Sequence, residues 1–380
     1  MERPTLRNPL TNVNWDDLLE TLEAEKCVLF LGSGAFEAPG GGSIEGALRD
    51  WLNADNPNNS HIRQYNSDGF FLFRKSIFKR KVTAEIKRFY HQPFPETEAL
   101  FGRLAQIPFS MIFSLTPDNL LSRTFDRLGF DYQSDFYFRN RKAPDGFERP
   151  TKKKPLIYNL LGNIEEPESI VLSHSDFFDY LQSVFIANSM NQDLKDELER
   201  AERYIFLGLP YEKWYFQLLL RVLSMHSDKL KEVERLALRE FEDDRLHTIY
   251  TEEFKLEFFP CDVPLFVQTL HEKCAAANLF KQAPPPDPAL AALPDLDYAQ
   301  FSDLIASAKT EQAFQHLRAY LDRRRPRSLP LNNALIVLQN RYNLLQQRAR
   351  RGTILPQDLT VENNQVVEQL LELVTKALQQ

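Results

Sequence analysis

The chain lacks most of the features that would place it at sight. Of its 380 residues only three are cysteines (Cys27, Cys261 and Cys274), and none stands in a C-x-x-C pair. That spacing excludes a disulfide framework and a cysteine zinc site, and predicts a cytoplasmic protein in reducing surroundings with no bound metal. No apolar run approaches the ~20 residues of a membrane-spanning helix, so no membrane contact is expected. The opening residues, Met1-Glu-Arg-Pro-Thr5, lack a basic-then-apolar leader. Basic charge is also short. With 46 Lys+Arg against 53 Asp+Glu the formal net charge is −7, which argues against a nucleic-acid-binding body. Glycine is sparse too, at 13 residues, so the places where it gathers carry information.

The densest gathering follows Cys27-Val-Leu-Phe-Leu31: Gly32-Ser33-Gly34, then Ala35, Phe36 and the triplet Gly40-Gly41-Gly42. Five apolar residues in a row predict a strand buried on both faces, as in a parallel sheet. A helical stretch resumes over Ser43–Trp51. A strand entering a glycine turn at a sheet's carboxyl edge is where nucleotides bind in open α/β folds, because backbone amides there can approach a phosphate closely. The pattern falls short of G-x-G-x-x-G, since position 37 is Glu. Taken alone, these residues are equally well read as a tight strand-to-helix turn.

Around this stretch, strands and helices alternate. Asn14 is placed to cap a first helix, with Trp15, Leu18, Leu19 and Leu22 at helical spacing. Residues 52–68 read as a surface loop, and the aromatic and basic residues from Phe70 to Phe101 as helices of an insertion. Further strands are predicted at Phe109–Leu115, Leu156–Leu161, Ser169–Ser173, Tyr204–Gly208, Thr248–Tyr250 and Leu256–Phe259, with a closing helix at Val263–Cys274. The charged stretch 139–154 reads as a mobile loop. The fold class is therefore α/β, a Rossmann-like parallel sheet with a helical insertion, plus a C-terminal all-α domain.

The composition breaks at Ala283-Pro-Pro-Pro-Asp-Pro288. Beyond Tyr298 no strand pattern remains, and four helices are predicted over 298–308, 310–323, 331–350 and 357–378. Residues 298–380 hold 11 Lys+Arg and 7 Asp+Glu, against an acidic remainder. The expected organisation is a sheet domain over 1–281 with its insertion at about 52–105, a Pro-rich linker over 282–297, and a helical domain over 298–380.

The order of motifs resembles a known family. Val28-Leu-Phe-Leu-Gly-Ser-Gly34, Ile112-Phe-Ser-Leu-Thr-Pro-Asp-Asn-Leu-Leu121, Tyr158-Asn-Leu-Leu-Gly-Asn-Ile164, Ser169-Ile-Val-Leu-Ser173 and Ile205-Phe-Leu-Gly-Leu209 are similar to the sirtuin-like domain of bacterial antiphage systems. Phe301-Ser-Asp-Leu-Ile-Ala306, Ala313-Phe-Gln-His-Leu317, Asn340-Arg-Tyr-Asn343 and Arg351-Gly-Thr-Ile-Leu355 resemble an effector-associated domain of bacterial conflict systems, a helical adaptor that recruits a partner carrying a like domain.

That resemblance implies an NAD-cleaving activity, and it also exposes departures. The family's catalytic Asn and His positions hold Thr116 and Leu161 here; threonine has no amide, and leucine cannot move a proton. An acid expected near a helix start is Lys213, and Phe36 replaces a small polar residue, where a ring is expected to narrow the phosphate end of the pocket. Gly32, Ser33, Gly34, Asp118, Gly162 and Gly208 are the expected nucleotide-contacting residues. Thr116 and His174 are the weak catalytic candidates, His174 because it is the one histidine near the motifs. The expected ligand is NAD or an ADP-ribose-like nucleotide, bound without efficient hydrolysis. The expected partner is a protein with a similar helical domain, or a second copy of this chain. The alternatives are an active NADase with relocated catalytic groups and a purely structural interaction protein.

Overall fold

The computed structural model describes residues 10–38, 41–137, 148–186, 192–223, 233–239, 244–282, 297–307, 309–323 and 356–378, with scattered positions between 331 and 349. The chain separates into two units, Met1–Ala283 and Pro284–Gln380.

The first unit is built on seven parallel strands. In chain order they are β1 (Cys27–Leu31), β4 (Met111–Ser114), β5 (Gln133–Phe136), β6 (Leu156–Asn159), β7 (Arg203–Leu207), β8 (Glu234–Leu238) and β9 (Leu256–Phe259). Their spatial order is β5-β6-β4-β1-β7-β8-β9. A separate antiparallel hairpin pairs β2 (Ile62–Tyr65) with β3 (Phe71–Phe73). Strand β1 is central: the chain leaves it towards β4 on one side, then crosses over to β7 on the other. The carboxyl end of such a strand is the switch point of an open α/β sheet.

Helices cover both faces. They are α1 (Trp15–Glu23), α2 (Ile44–Trp51), α3 (Phe78–Tyr90), α4 (Pro95–Gln106), α5 (Leu120–Leu128), α6 (His174–Ile186), α7 (Gln192–Glu199), α8 (Trp214–Val222), α9 (Asp244–Phe254) and α10 (Val263–Ala276). The two-residue period of a strand divides the core. Cys27, Leu29 and Leu31 join one apolar layer with Leu18 of α1, Leu104 of α4 and Leu270 of α10. Val28 and Phe30 join the other, with Phe177 of α6, Phe216 of α8 and Phe254 of α9. On that second face the register aligns Phe30 with Phe113 and Phe206, and Phe113 with Tyr158. Their rings meet at centroid distances of 5.1, 5.0 and 5.6 Å, a belt across four strands. Each such pair adds about 0.5–1.5 kcal/mol beyond its burial.

Several expectations hold. Asn14 caps α1 by accepting from the Asp17 amide, and Ser43 caps α2 by accepting from Gly46. The strands expected around residues 27–31, 109–115, 156–161, 204–208 and 256–259 are five of the seven in the sheet. Others do not. Ser169–Ser173 is not a strand: a 3-10 turn spans Pro167–Ser169, and the Leu172 and Ser173 amides both donate to the Asp176 carboxylate instead of a ladder. Thr248–Tyr250 is helical within α9, where Tyr250 and Phe254 stack one turn apart at 5.9 Å; packing there overrides the β-branched propensity of Thr248 and Ile249. The surface loop expected over 52–68 contains β2, and Phe71 and Phe73 of the expected helical insertion sit in β3. Strands β5 and β8 were not foreseen. Residues 139–147 of the expected mobile loop, and the proline stretch, lie outside the described residues.

The second unit contains helices Tyr298–Ala306, Thr310–Arg323 and Pro356–Leu378. Phe301, Phe314, Leu317, Val366, Leu370 and Val374 form its core, and the Phe314 ring lies 5.4 Å from that of Tyr342. The described positions between Leu331 and Ala349 are helical as well. Among the described residues no helix is long and apolar enough to cross a membrane.

Candidate functional site

The turns after β1 and β7 meet backbone against backbone. The Gly32 amide donates to the Leu207 carbonyl at 2.9 Å, and the Gly34 amide to the Gly208 carbonyl at 2.8 Å. The next two amides are also spent locally, Ala35 on Gly32 and Phe36 on Ser33. A Cβ on Gly32 would stand 2.3 Å from the Gly208 oxygen, and one on Gly34 would stand 3.0 Å from it. Gly208 has φ +63°, and its added Cβ would lie 2.1 Å from the Ala35 nitrogen. Close packing of two strand ends therefore accounts for all three glycines. Gly162 serves a similar purpose further along the edge, with φ +94° and the Ser169 carbonyl where a Cβ would project.

Beside the glycine turn, the chain after β4 folds into a polar knot. Ser114 Oγ lies 2.8 Å from Thr116 Oγ1. Asn159, at the end of β6 and 2% exposed, donates its side-chain amide to the Thr116 carbonyl at 2.8 Å and to the Asp118 carbonyl at 3.2 Å. Asp118 Oδ1 accepts from the Leu120 amide at 2.8 Å and so opens α5, while Asp118 Oδ2 is buried with no hydrogen-bond partner. Burial pushes the Asp118 carboxyl above its ordinary value, outweighing the lowering influence of nearby polar groups such as the Leu120 amide.

A cavity of about 110 Å³ opens at these strand ends. Ser33, Glu45, Thr116 and Leu161 stand in its wall, together with Tyr65, Phe70 and Phe71 of the hairpin region. The wall is mostly apolar. Its polar corner is Ser33, which donates to Glu45 Oε1 at 2.7 Å; Glu45 Oε2 in turn lies 3.6 Å from Lys213 Nζ. Lys213 also donates to the Ser67 carbonyl at 2.6 Å. A larger open depression of about 520 Å³ runs along α3 at Lys87, Arg88 and His91. Its cations are already engaged, Lys87 with Glu165 and Arg88 with Glu85.

The expected residues thus divide. Ser33, Thr116 and Leu161 face one cavity, whereas Gly32, Gly34, Asp118, Gly162 and Gly208 are not in its wall. His174 is not in the cavity wall; it begins α6, and its Nε2 lies 2.7 Å from Asp68 Oδ2. Phe36 does not narrow the pocket, because its ring turns into the core and meets Phe101 edge-on at 5.1 Å. Sequence reasoning passed over Glu45, Asp68 and Asn159. Of these, only Asn159 carried a signal, as a lone amide at the end of an apolar strand.

A dinucleotide does not fit the cavity as it stands, since pockets for ligands even of drug size run to about 300–1,000 Å³. The donor set is nonetheless of the right kind. Ser33 and Glu45, both in its wall, are groups that hydrogen-bond ribose hydroxyls.

Comparison with known families agrees with this architecture. The SIR2-like domain family matches residues 111–257, from β4 into β9, so β1 and its glycine turn lie outside the matched stretch. Effector-associated domain 11 matches residues 297–377. No curated protein matches the chain. The chain carries a SIR2-like domain in its parallel-sheet unit and an effector-associated domain 11 at its C-terminus.

Proposed function

We propose that this protein is a sirtuin-like component of a bacterial antiphage system. In this reading its sheet unit binds NAD or an ADP-ribose-like nucleotide without cleaving it, as a cytoplasmic pseudoenzyme, and its C-terminal unit recruits a partner bearing a similar helical domain. The observation that carries the reading is the pairing of Thr116 and Leu161 in one cavity wall. Nicotinamide release needs a group that positions water or ribose and a base that takes a proton. Leu161 has no titratable atom, the Thr116 hydroxyl is turned to Ser114, and His174 is held by Asp68. Support for a nucleotide comes from the switch-point location of the cavity and from the Ser33–Glu45 pair in its wall.

If a nucleotide enters, this chain's residues would act on it as binders. Ser33 and Glu45 would face its hydroxyls, and the apolar wall would exclude water. A second reading, an inert scaffold that works through the helical unit alone, is favoured by the small cavity volume.

Calorimetric titration of the full chain with NAD and with ADP-ribose separates the two, and chromatography of the same mixtures tests catalysis. Binding with no nicotinamide formed is the expected result. Steady nicotinamide release that His174→Ala abolishes would favour relocated catalysis, whereas heat-silent titrations would favour the scaffold.

A further inference from the structure

Three residues of the cavity wall, Tyr65, Phe70 and Phe71, belong to one small element with its own fastening. We propose that the β2–β3 hairpin is a lid over the cleft and that Asp68, held between His174 and Trp214, is the latch that keeps it closed. The proposal rests on the reading of this cleft as the nucleotide site.

The hairpin is a body that can move as one piece. Its base is closed by Arg74, whose backbone amide donates to the His61 carbonyl and whose guanidinium donates to the Asn59 and Pro57 carbonyls. Two strands alone are marginally stable, so the hairpin's position depends on what it touches. Along its length it makes one backbone hydrogen bond to the wall, from the Phe71 amide to the Leu172 carbonyl at 2.8 Å.

Its side chains Ile62 and Phe71 also pack into one apolar layer and Phe70 into the other, while the polar fastening is gathered at the tip. Asp68 Oδ2 accepts from Trp214 Nε1 at 2.9 Å and lies 2.7 Å from His174 Nε2. Those partners are the first residues of α8 and α6, so one carboxylate joins two helix starts, where negative charge is favoured. Beside it Lys213 holds the Ser67 carbonyl, and Phe70 packs on His174 and Tyr215 at 4.9 and 5.1 Å. Burial would raise the Asp68 carboxyl, but the hydrogen bonds from Trp214, His174 and the Phe70 amide outweigh it and hold the group below its ordinary value.

The geometry gives His174 a role without chemistry. It fastens the lid that determines whether the cavity, too small for a dinucleotide when shut, can admit one. Opening moves Tyr65, Phe70 and Phe71 away together and exposes Ser33, Glu45 and Thr116 behind them.

The test reads lid opening without any ligand. Leu161→Cys, in a Cys261→Ser background, places one reactive thiol in the cavity wall; Cys27 and Cys274 are buried. Adding Asp68→Asn removes the charge at nearly constant volume and is expected to speed labelling by a water-soluble thiol reagent about tenfold or more. Trp214→Phe keeps the ring and loses the N–H, and is expected to give a smaller acceleration, with circular dichroism unchanged in both. Labelling that stays at the parent rate in both variants overturns the latch. ADP-ribose titration then addresses the reading beneath it. Tighter binding to Asp68→Asn than to the parent supports the lid as a gate for nucleotide. Faster labelling with no ADP-ribose binding to either protein keeps the lid and removes the nucleotide.

Discussion

The Gly34 amide and the Gly208 carbonyl, 174 residues apart in the chain, are joined by a 2.8 Å hydrogen bond that ties the turn after β1 to the turn after β7. The bond leaves no room for a side chain on either partner. It also turns the Gly34 amide inward, away from any ligand that might approach the sheet edge.

Substitution at these glycines should therefore damage the fold before it damages binding, and in a set order. Gly208→Ala combines a positive φ with a contact at 2.1 Å, whereas Gly34→Ala meets backbone at 3.0 Å with no positive φ. We expect Gly208→Ala to cost at least about 2 kcal/mol and Gly34→Ala clearly less. Chemical denaturation of the two variants checks the ranking. Equal stabilities would show that the two turns can separate.

Asn159 is expected to behave as a structural keystone of the neighbouring loop. Truncation to Ala leaves the Thr116 and Asp118 carbonyls without their shared donor, both in a buried setting. A loss of about 1–3 kcal/mol follows. Thermal melting measures it, and a variant as stable as the parent would mean that water replaces the amide.

Asp118 predicts a pH trend. Its carboxyl is raised above the ordinary 3.8 in the folded protein, so the fold binds that proton more tightly than the unfolded chain does. Its contribution to stability is fully present below 3.8 and is lost as pH rises through the folded value. Asp118→Asn carries no such charge. The melting temperature of this variant minus that of the parent is expected to increase from pH 4 to pH 7. A difference that stays flat or falls would place the carboxylate in a better-satisfied environment.

Lys281 predicts the opposite arm. The residue is 9% exposed, its amino group donates to the Ile107 and Phe109 carbonyls, and burial pushes its pKa from 10.5 down to about 7. Between those values the unfolded chain holds a proton that the native chain has released, so this residue makes stability rise with pH across that window. Below about 7 both states are charged and the dependence ends. Lys281→Met should flatten the stability profile between pH 7.5 and 8.5 relative to the parent, by up to about 1.4 kcal/mol per pH unit. The range stays below 9, where Cys274, raised to about 12, begins to act with the other sign. Parallel profiles for the two proteins would show that Lys281 stays charged when folded.

Much of the architecture could be read from local pattern. A run such as Cys27–Leu31 has one stable environment, the middle of a two-sided sheet, and capping residues such as Asn14 and Ser43 act within three positions of themselves. Local signals failed where long-range packing reversed them. Thr248–Tyr250 has strand propensity, but the side chains meeting Tyr250 come from Tyr211, Phe216 and Phe258, which only the fold assembles.

The site divides along the same line. Composition and motif order were sufficient to name the families and to single out Thr116, Leu161, Gly32, Gly34 and Gly208, because those are statements about residue types at given spacings. Tertiary structure alone decided what the residues do. It spent the glycine amides on the neighbouring turn, turned Phe36 into the core, left one Asp118 oxygen without a donor, and set His174 against Asp68, 106 positions away. The physical reason is that hydrogen bonds and burial are satisfied by whatever the fold brings within a few ångströms, and sequence spacing carries no record of that proximity.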